Sequence, residues 1–258
     1  MKKIILSLCL FLACGIFFAE KINVTVSSKT YEEEVTLFAT ITYDAAGREV
    51  NYKESDGYNY QKTYTDKGLL RSFKDSKGSR QTYTYNADGN PVKIDYISTA
   101  NGYSGWTERR VYDENGRLTK STNSNTGAES LYEYDESGTL LAKKTGKKTV
   151  TYTYDKAGHL TEENDGEGNV TKYLYKKDSL VRVEKSDGFT ENYKYDKNLN
   201  LILVENSSGK KESFQYNKEG LLSYRHTEDG KNYFYSYTFL DDGKTQKEAL
   251  LYVWDDKK

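Results

Sequence analysis

The chain has few of the residues that build covalent or metal-bound frameworks. Its 258 residues include two cysteines, two histidines and one proline. Both cysteines, Cys9 and Cys14, lie near the N-terminus. The remaining sequence therefore has no disulfide, no thiolate nucleophile and no cysteine-based metal site. The single proline argues against a flexible linker.

Large aliphatic residues are also scarce. Leu, Ile, Val and Phe together make up about a fifth of the chain, close to the level at which disorder becomes plausible. Tyrosine takes their place, with 25 copies against nine phenylalanines and two tryptophans. Because tyrosine rings are buriable and strongly β-prone, we predict a folded chain that is rich in β-structure.

Only one long apolar run is present, at the N-terminus. Two lysines precede 15 almost continuously apolar residues, Ile4 to Phe18. A run of this length with a basic start is typical of a secretory leader, and it is too short to cross a bilayer. Two processing routes are open: cleavage after Ala19, or lipidation at Cys14 in a sequence like a lipobox. Both predict an exported protein in the periplasm, on the cell surface or secreted, with no transmembrane segment in the mature chain.

Neither sign of charge dominates. Without the two leader lysines, 36 basic side chains (38 minus 2) stand against 39 acidic ones, a net charge of −3. The two signs are mixed along the whole chain, whereas nucleic-acid binding needs a basic stripe. We therefore expect no nucleic-acid partner.

The sequence is dominated by an internal repeat that reads Y-x-Y-D-x-x-G-x-L. Clear copies begin at Arg110 ("RVYDENGRL"), Tyr132 ("YEYDESGTL") and Tyr152 ("YTYDKAGHL"). The second aromatic of each copy, the anchor tyrosine, recurs at spacings of 21, 21, 27, 22, 20, 21, 20, 21 and 21 residues. A fixed period of this length indicates a repeat architecture. The anchor tyrosines are Tyr43, Tyr64, Tyr85, Tyr112, Tyr134, Tyr154, Tyr175, Tyr195, Tyr216 and Tyr237.

Each repeat is predicted to be a β-hairpin. Alternation places the two tyrosines of Y-x-Y on one face of a strand. An Asp or Asn then opens a turn, and a glycine three residues later is typical of a type I turn with a G1 bulge. These turn glycines are Gly47, Gly68, Gly89, Gly116, Gly138, Gly158 and Gly220. The Leu two residues later begins the return strand, with Val50 and Val181 as variants.

Two repeats lack the turn glycine. After Tyr175 the position holds Ser179, and after Tyr195 it holds Leu199. Because a left-handed conformation is costly for both, we predict that these turns change length, with Asn198 taking the left-handed place in the second.

These patterns predict an all-β fold of about ten tandem hairpins with a period of about 21 residues. Stacked hairpins would align the tyrosines into a structural ladder. We expect a long curved antiparallel sheet or an open β-solenoid-like shell, with almost no helix outside the leader. The predicted domains are a signal peptide at residues 1–19, an N-terminal strand or cap at 20–40, and the repeat domain at 41–258.

The repeat resembles the YD repeat of the RHS family. The match covers about Ile41 to Gly243 and is best in "RVYDENGRLTK" and "YTYDKAGHLTEENDGEGN". The resemblance implies β-hairpins that wind into shells, are exported or surface-displayed, and can encapsulate a toxic C-terminal domain. We expect a short, repeat-only member without the RHS core or a toxin domain, with too few repeats to close a shell.

Few residues suggest chemistry. His159 and His226 lie in different repeats, and surface roles are expected for both. The acidic turn from Glu163 to Asn169 fits a hydrated hairpin better than a calcium loop. The long spacing marks an insertion in the second turn of that repeat, Ser98 to Trp106, which we expect to form a loop. Its Tyr103 and Trp106 could contact a partner, or could pack as a staple over the sheet.

We therefore expect an exported interaction or structural scaffold of the cell envelope or surface, with no enzymatic activity, no cofactor and no metal. The partner would be an envelope or surface protein or a glycan. The alternative is a carbohydrate-binding repeat module for cell-wall or host glycans, although Trp106 and Trp254 are few for that role. Whether the tyrosine face is covered or open stays undecided at this point.

Overall fold

The computed structural model describes residues 4–7, 20–26, 29–100 and 102–255, and every regular element in this part of the chain is a β-strand. Every strand pair with an assigned register is antiparallel, for example β9 with β10 and β15 with β16. The predicted all-β antiparallel class is therefore confirmed.

The structure has 22 strands in the described residues. They are β1 (Ile4–Ser7), β2 (Glu20–Val26), β3 (Lys29–Tyr43), β4 (Glu49–Glu54), β5 (Asn59–Tyr64), β6 (Leu70–Asp75), β7 (Arg80–Tyr85), β8 (Pro91–Ser98), β9 (Ser104–Tyr112), β10 (Leu118–Asn123), β11 (Glu129–Tyr134), β12 (Leu140–Thr145), β13 (Lys148–Tyr154), β14 (Leu160–Asn164), β15 (Val170–Lys176), β16 (Ser179–Lys185), β17 (Thr190–Tyr195), β18 (Leu201–Asn206), β19 (Lys211–Tyr216), β20 (Leu222–His226), β21 (Lys231–Phe239) and β22 (Gln246–Asp255).

The chain forms two compact units. One contains residues 1–57 together with 212–258, and the other contains residues 58–211. In the second unit, β5 to β18 form a meander in which each strand pairs with the next one along the chain. In this meander six of the seven anchor tyrosines end their strands, and Tyr175 is the last residue but one of β15.

The turns that follow the anchor tyrosines share one geometry. After Tyr112, the Gly116 N–H donates to the Asp113 carbonyl over 3.0 Å, and the Asp113 N–H donates to the Arg117 carbonyl over 2.9 Å. The Asp113 carboxylate accepts from the N–H groups of Asn115 (3.0 Å) and Arg117 (2.8 Å). Gly116 has a φ of 75°, the left-handed residue of a type I turn with a G1 bulge. The Asp113 carboxylate therefore fixes the backbone of the turn.

The glycines proposed for this place adopt the same conformation. All seven have φ values between 73° and 90°, a region that L-residues seldom enter. They are Gly47, Gly68, Gly89, Gly116, Gly138, Gly158 and Gly220.

Neighbouring repeats pair over only part of their length. Between β10 and β11 the ladder ends at the pair Lys120 and Leu131. Leu118, two residues beyond, has no partner in that ladder, and its carbonyl accepts a hydrogen bond from the Tyr134 hydroxyl over 2.9 Å. The anchor phenol thus bonds to the backbone of the preceding repeat where the two hairpins diverge.

The same bond recurs along the chain. In each case the acceptor lies two residues beyond the last pair of the ladder between the two repeats. The donors and acceptors are Tyr85 to Leu70 (2.6 Å), Tyr112 to Pro91 (3.0 Å), Tyr195 to Leu180 (2.9 Å) and Tyr237 to Leu222 (2.7 Å).

The expected open arrangement is wrong, because the C-terminal strand is not a free edge. In its unit, β22 pairs with β21 on one side and with β3 on the other, where Glu248 lies opposite Thr42 and Ala249 opposite Ile41. The physical reason is the length of β3, whose 15 residues pair with β2, β4 and β22. This pairing satisfies backbone groups that an edge strand would leave exposed.

A small apolar core lies around this pairing. Ala39, Ala249 and Leu251 are buried there, and Tyr235 and Tyr237 pack against them. Small alanines let the strands carry large rings on the same face without overpacking.

The turn after Tyr195 keeps the common geometry, so the predicted change of length is wrong there. Leu199, and not Asn198, is left-handed, with a φ of 65°. Its N–H donates to the Asp196 carbonyl over 3.2 Å, as glycine does in the other turns. The Asp196 carboxylate also accepts from the N–H groups of Asn198 (2.8 Å) and Asn200 (2.9 Å), which holds the turn against the backbone strain.

The turn after Tyr175 is shorter, so the predicted change of length is confirmed there. Lys176 pairs directly with Ser179, and Lys177 is left-handed with a φ of 56°. The shorter turn places Leu180 opposite Tyr175, so the assignment of Val181 to this position is wrong. The assignment of Val50 is also wrong, because Glu49 lies opposite Tyr43.

Replacing Tyr134 by Phe should lower the free energy of unfolding by about 1 kcal/mol. The ring still packs, but the Leu118 carbonyl loses its donor. Tyr103→Phe is the matched control, because Tyr103 is 79% exposed and should change little. Urea unfolding of the full chain measures both variants, and a Tyr134→Phe midpoint equal to that of the wild type would contradict the role of the hydroxyl.

Leu199→Gly should raise the free energy of unfolding by about 1 kcal/mol, because it relieves a left-handed L-residue. Little packing is lost, since Leu199 is 71% exposed. The control is Leu174→Gly on strand β15, where Leu174 is 41% exposed and glycine should destabilise. Thermal unfolding separates the two outcomes, and destabilisation by Leu199→Gly would show that the leucine side chain stabilises the turn.

Stability should fall in acid. Hydrogen bonds from the residue four positions later hold the pKa values of four turn carboxyls below the usual range, those of Asp44, Asp113, Asp155 and Asp196. Because the folded pKa is lowered, the contribution is present above about pH 4 and is lost as the pH falls further. Urea midpoints measured on both sides of that pH test this prediction. Asp113→Asn, which keeps an acceptor oxygen without the charge, should weaken the dependence, and midpoints that do not change with pH would contradict it.

Candidate binding cleft beside the insertion

The insertion lengthens two strands and does not form a long loop. The pairing of β8 with β9 extends from Lys93 and Arg109 to Ser98 and Ser104. Trp106 therefore lies in a strand, and the interpretation of it as a loop aromatic is wrong. The physical reason is that the added residues continue the backbone ladder, which satisfies more hydrogen-bonding groups than a loop of the same length.

The two strands present different side chains on their two faces. Trp106 lies opposite Tyr96, and the rings stack with centroids 5.5 Å apart. Trp106 precedes the anchor Tyr112 by six residues, so alternation puts it on the face that carries the anchor tyrosines, the anchor face. Asp95 and Thr107, which also pair, lie on the opposite face, here called the cleft face.

Tyr103 lies on the cleft face. A Cβ placed on Gly105 would lie 3.5 Å from the Tyr103 hydroxyl and 3.7 Å from Ile97 Cγ1, so the missing side chain leaves room for Tyr103 beside Ile97. The ring is nevertheless 79% exposed. The structure thus separates the two predicted contact residues, since Tyr103 is offered to solvent and Trp106 is stacked on Tyr96.

A cleft of about 460 Å³ is lined by residues of β7, β8 and β9. Its polar side chains on the cleft face come from β7, β8 and β9, with Ser124 at one end. The lining residues are Arg80, Thr82, Lys93, Asp95, Tyr96, Ile97, Tyr103, Gly105, Trp106, Thr107 and Ser124. By register, Arg80 lies opposite Ile97 and Thr82 opposite Asp95, so the charged groups share one face.

Asp95 is the fixed acceptor of this cleft. Lys93 Nζ lies 2.7 Å from Asp95 Oδ2, and the Thr107 hydroxyl donates to Asp95 Oδ1 over 2.7 Å. The hydrogen bond from Lys93 makes the largest contribution to lowering the pKa of Asp95, and that from Thr107 adds to it. The carboxylate therefore stays ionised near neutral pH. Ser124 Oγ accepts from the Thr107 N–H over 2.7 Å, which fixes that wall.

Both histidines make structural contacts. His159 stacks on Tyr175 with centroids 4.7 Å apart, and its Nδ1 lies 3.0 Å from Asp155 Oδ2. His226 Nδ1 lies 2.9 Å from Oδ1 of Asn232, which is 1% exposed. Within the described ranges no group of three or more His, Cys, Asp or Glu side chains is placed to hold a metal ion.

The acidic turn near Asp165 is closed by its own neighbours. Lys148 Nζ lies 2.9 Å from Asp165 Oδ2 and 3.0 Å from Glu167 Oε2. The Asn169 amide also donates to Asp165 Oδ2, over 2.7 Å. The carboxylates are thus engaged by a lysine and an amide, as expected for a hairpin turn.

The ten anchor tyrosines are all half-buried, so their face is partly covered. Cys14 and Ala19, on which the two processing routes depend, lie outside the described residues. The described part of the chain contains no helix with the length and apolar character of a membrane span.

Sequence reasoning missed the charged residues of the cleft. Arg80 and Asp95 precede the insertion and belong to strands that resemble those of other repeats. The available signal was hairpin register, because an insertion that lengthens β8 and β9 places its residues beside the start of β7. That inference required knowing that the insertion is extended.

One family model matches the chain, the Teneurin YD-shell, over residues 108–247. No curated protein sequence matches. Among solved structures, the chain is similar to chains in the crystal structures of TcdB2-TccC3-TEV (14% identity, TM-score 0.39, 88% of this chain and 16% of that one), TcdB2-TccC3-Cdc42 (13%, 0.40, 90% and 17%) and TcdB2-TccC3 (14%, 0.40, 90% and 17%).

The chain spans about a sixth of the length of those solved chains. The matched family region, residues 108–247, covers more than half of the 258 residues. It contains seven of the ten tyrosine anchors, from Tyr112 to Tyr237, which is the same repeat on which the YD-repeat resemblance rests. The chain belongs to the Teneurin YD-shell family.

Proposed function

We propose that the chain is an exported, non-catalytic scaffold of the cell envelope or cell surface that holds a partner on a wall of linked hairpins. The single observation that carries the proposal is the repeated bond from an anchor phenol to the preceding repeat, for example Tyr134 to Leu118. This bond ties a hairpin to the one before it, which is a structural role and not a catalytic one.

Export is supported by the sequence alone. The apolar run from Ile4 to Phe18 follows two lysines and precedes the polar body of the chain, as in secretory leaders. Cleavage after Ala19 and lipidation at Cys14 both lead out of the cytoplasm. The scarcity of cysteine beyond the leader suits either destination, since folding outside the cell then needs no disulfide formation.

A structural role is also supported by how the reactive side chains are used. His159 is stacked on Tyr175, and His226 contacts a buried amide. The charged pairs, such as Lys148 with Asp165, bridge neighbouring turns. We propose that these groups stabilise turns and strands and carry out no turnover.

Carbohydrate binding is the second candidate function, and one observation favours it. The cleft beside the insertion combines an exposed ring, Tyr103, with a fixed carboxylate, Asp95, and an arginine, Arg80. Pockets that recognise small polar ligands have this mixture of aromatic surface and convergent polar groups.

Fractionation of a bacterial host that produces the full chain with a C-terminal tag tests the proposal. We expect the tag in the envelope fraction or the medium, and chemical crosslinking of whole cells should yield a discrete larger species. Leu10→Arg, which interrupts the leader, should retain the chain in the cytoplasm. Equal distributions of wild type and Leu10→Arg would contradict export, and the absence of any crosslinked species would contradict the scaffold.

A further inference from the structure

We propose that the cleft on β7, β8 and β9 binds an acidic oligosaccharide, with a sugar ring against Tyr103 and a sugar carboxylate on Arg80. The inference rests on the proposed function, because it names the class of partner that the scaffold holds. It commits to pyranose sugars that carry a carboxylate, such as uronates.

The aromatic part of the site is Tyr103. Its ring is 79% exposed, and its hydroxyl lies near Gly105, where an added Cβ would be 3.5 Å away. An exposed tyrosine ring offers a large apolar surface, and its few side-chain torsions leave little freedom to lose on binding. The flat, apolar face of a pyranose ring suits such a surface.

The acceptor is Asp95. Its two carboxylate oxygens are oriented by Lys93 and Thr107. A carboxylate has about four acceptor positions, so each oxygen can still accept a hydrogen bond from a ligand hydroxyl. Thr82, opposite Asp95 in the register, adds a hydroxyl that can donate or accept. Sugars, which carry several adjacent hydroxyls, match this group.

The charge of the cleft selects an acid. Lys93 is neutralised by Asp95, whereas Arg80 lines the same cleft and has no ion pair among the residues that the structure describes. Together these three lining groups leave one net positive charge, and Arg109, opposite Lys93 on the same face, adds another. An arginine fork binds a carboxylate through two parallel hydrogen bonds, so a sugar carboxylate would offset part of this charge.

The strand arrangement argues against a peptide that adds to the sheet. β7 pairs with β6 and β8, β8 with β7 and β9, and β9 with β8 and β10. None of the three strands offers the free edge that β-strand addition requires. A ligand in this cleft must therefore be recognised by side chains, in a volume of about 460 Å³ that suits one or two sugar rings.

Isothermal titration of the full chain with α-1,4-linked trigalacturonate tests the inference, with the neutral galactotriose of the same linkage as the second probe. We expect trigalacturonate to bind and galactotriose to bind at least about tenfold more weakly. Arg80→Gln should remove this difference by weakening trigalacturonate alone. Tyr103→Ala should weaken both sugars about tenfold.

Arg71→Gln is the matched control, because Arg71 is an exposed arginine on β6 that does not line the cleft. It should bind like the wild type. Urea midpoints equal to that of the wild type establish that the variants are folded. Arg80→Lys, which keeps the charge but loses the fork, should bind with intermediate affinity and provides a second variant if Arg80→Gln fails to fold.

Three results would overturn the inference: no binding of either sugar, equal binding of the acidic and neutral sugars, or equal weakening by Arg71→Gln and Arg80→Gln. A hexaglutamate peptide that binds as tightly as trigalacturonate would overturn the sugar class in favour of an acidic peptide. These outcomes are independent of cell fractionation. If the chain is exported and crosslinked as expected but binds no sugar in the titration, this inference alone is refuted. If the chain is retained in the cytoplasm, the proposed function is refuted.

Discussion

The structure depends on one contact, the hydrogen bond from an anchor phenol to a backbone carbonyl of the preceding repeat. The turn after an anchor tyrosine introduces a bulge into its own hairpin. Pairing with the neighbouring hairpin stops two residues short of the carbonyl that accepts the phenol bond, so this carbonyl has no partner in that ladder. An unpaired carbonyl that is removed from water costs about 1–3 kcal/mol. The Tyr134 hydroxyl supplies its donor at Leu118, and Tyr237 does the same at Leu222. A hairpin that is marginal alone is thereby joined to its neighbour.

This contact explains why the sequence uses tyrosine where most folds use leucine. The first aromatic position of the repeat varies, with Ile41, Arg110 and Phe214 among its occupants, whereas all ten anchors are tyrosine. Five of these anchors use the hydroxyl to bond to the preceding repeat, which phenylalanine could not do: Tyr85, Tyr112, Tyr134, Tyr195 and Tyr237. Strand class, turn chemistry and face alternation followed from local spacing. The carbonyl partners of these five hydroxyls did not, because they depend on where the inter-repeat ladder ends.

Two of the failed predictions concern strand pairing. The open arrangement was inferred from the number of repeats, but β22 pairs with β3, a strand near the other end of the chain. Likewise the insertion suggested a loop, yet its residues extend β8 and β9 and turn Trp106 toward Tyr96. Of the candidate site, Tyr103 was predictable as an exposed aromatic, whereas Arg80 and Asp95 join it only through register. The turn at Leu199 failed for a local reason. The carboxylate of Asp196 accepts two backbone N–H groups and so stabilises a left-handed conformation that leucine alone would disfavour.

Alkaline titration of the phenols, followed by the ultraviolet absorbance of tyrosinate together with circular dichroism, tests the central claim most directly. Burial raises the pKa of the donor tyrosines Tyr85, Tyr134 and Tyr237. Their protonated forms therefore stabilise the fold below about pH 10, and this contribution is lost as the pH rises through the raised values. The account predicts that a group of phenols ionises late and together with loss of β-structure. Ionisation of all 25 tyrosines near pH 10 with the β-structure intact would contradict it.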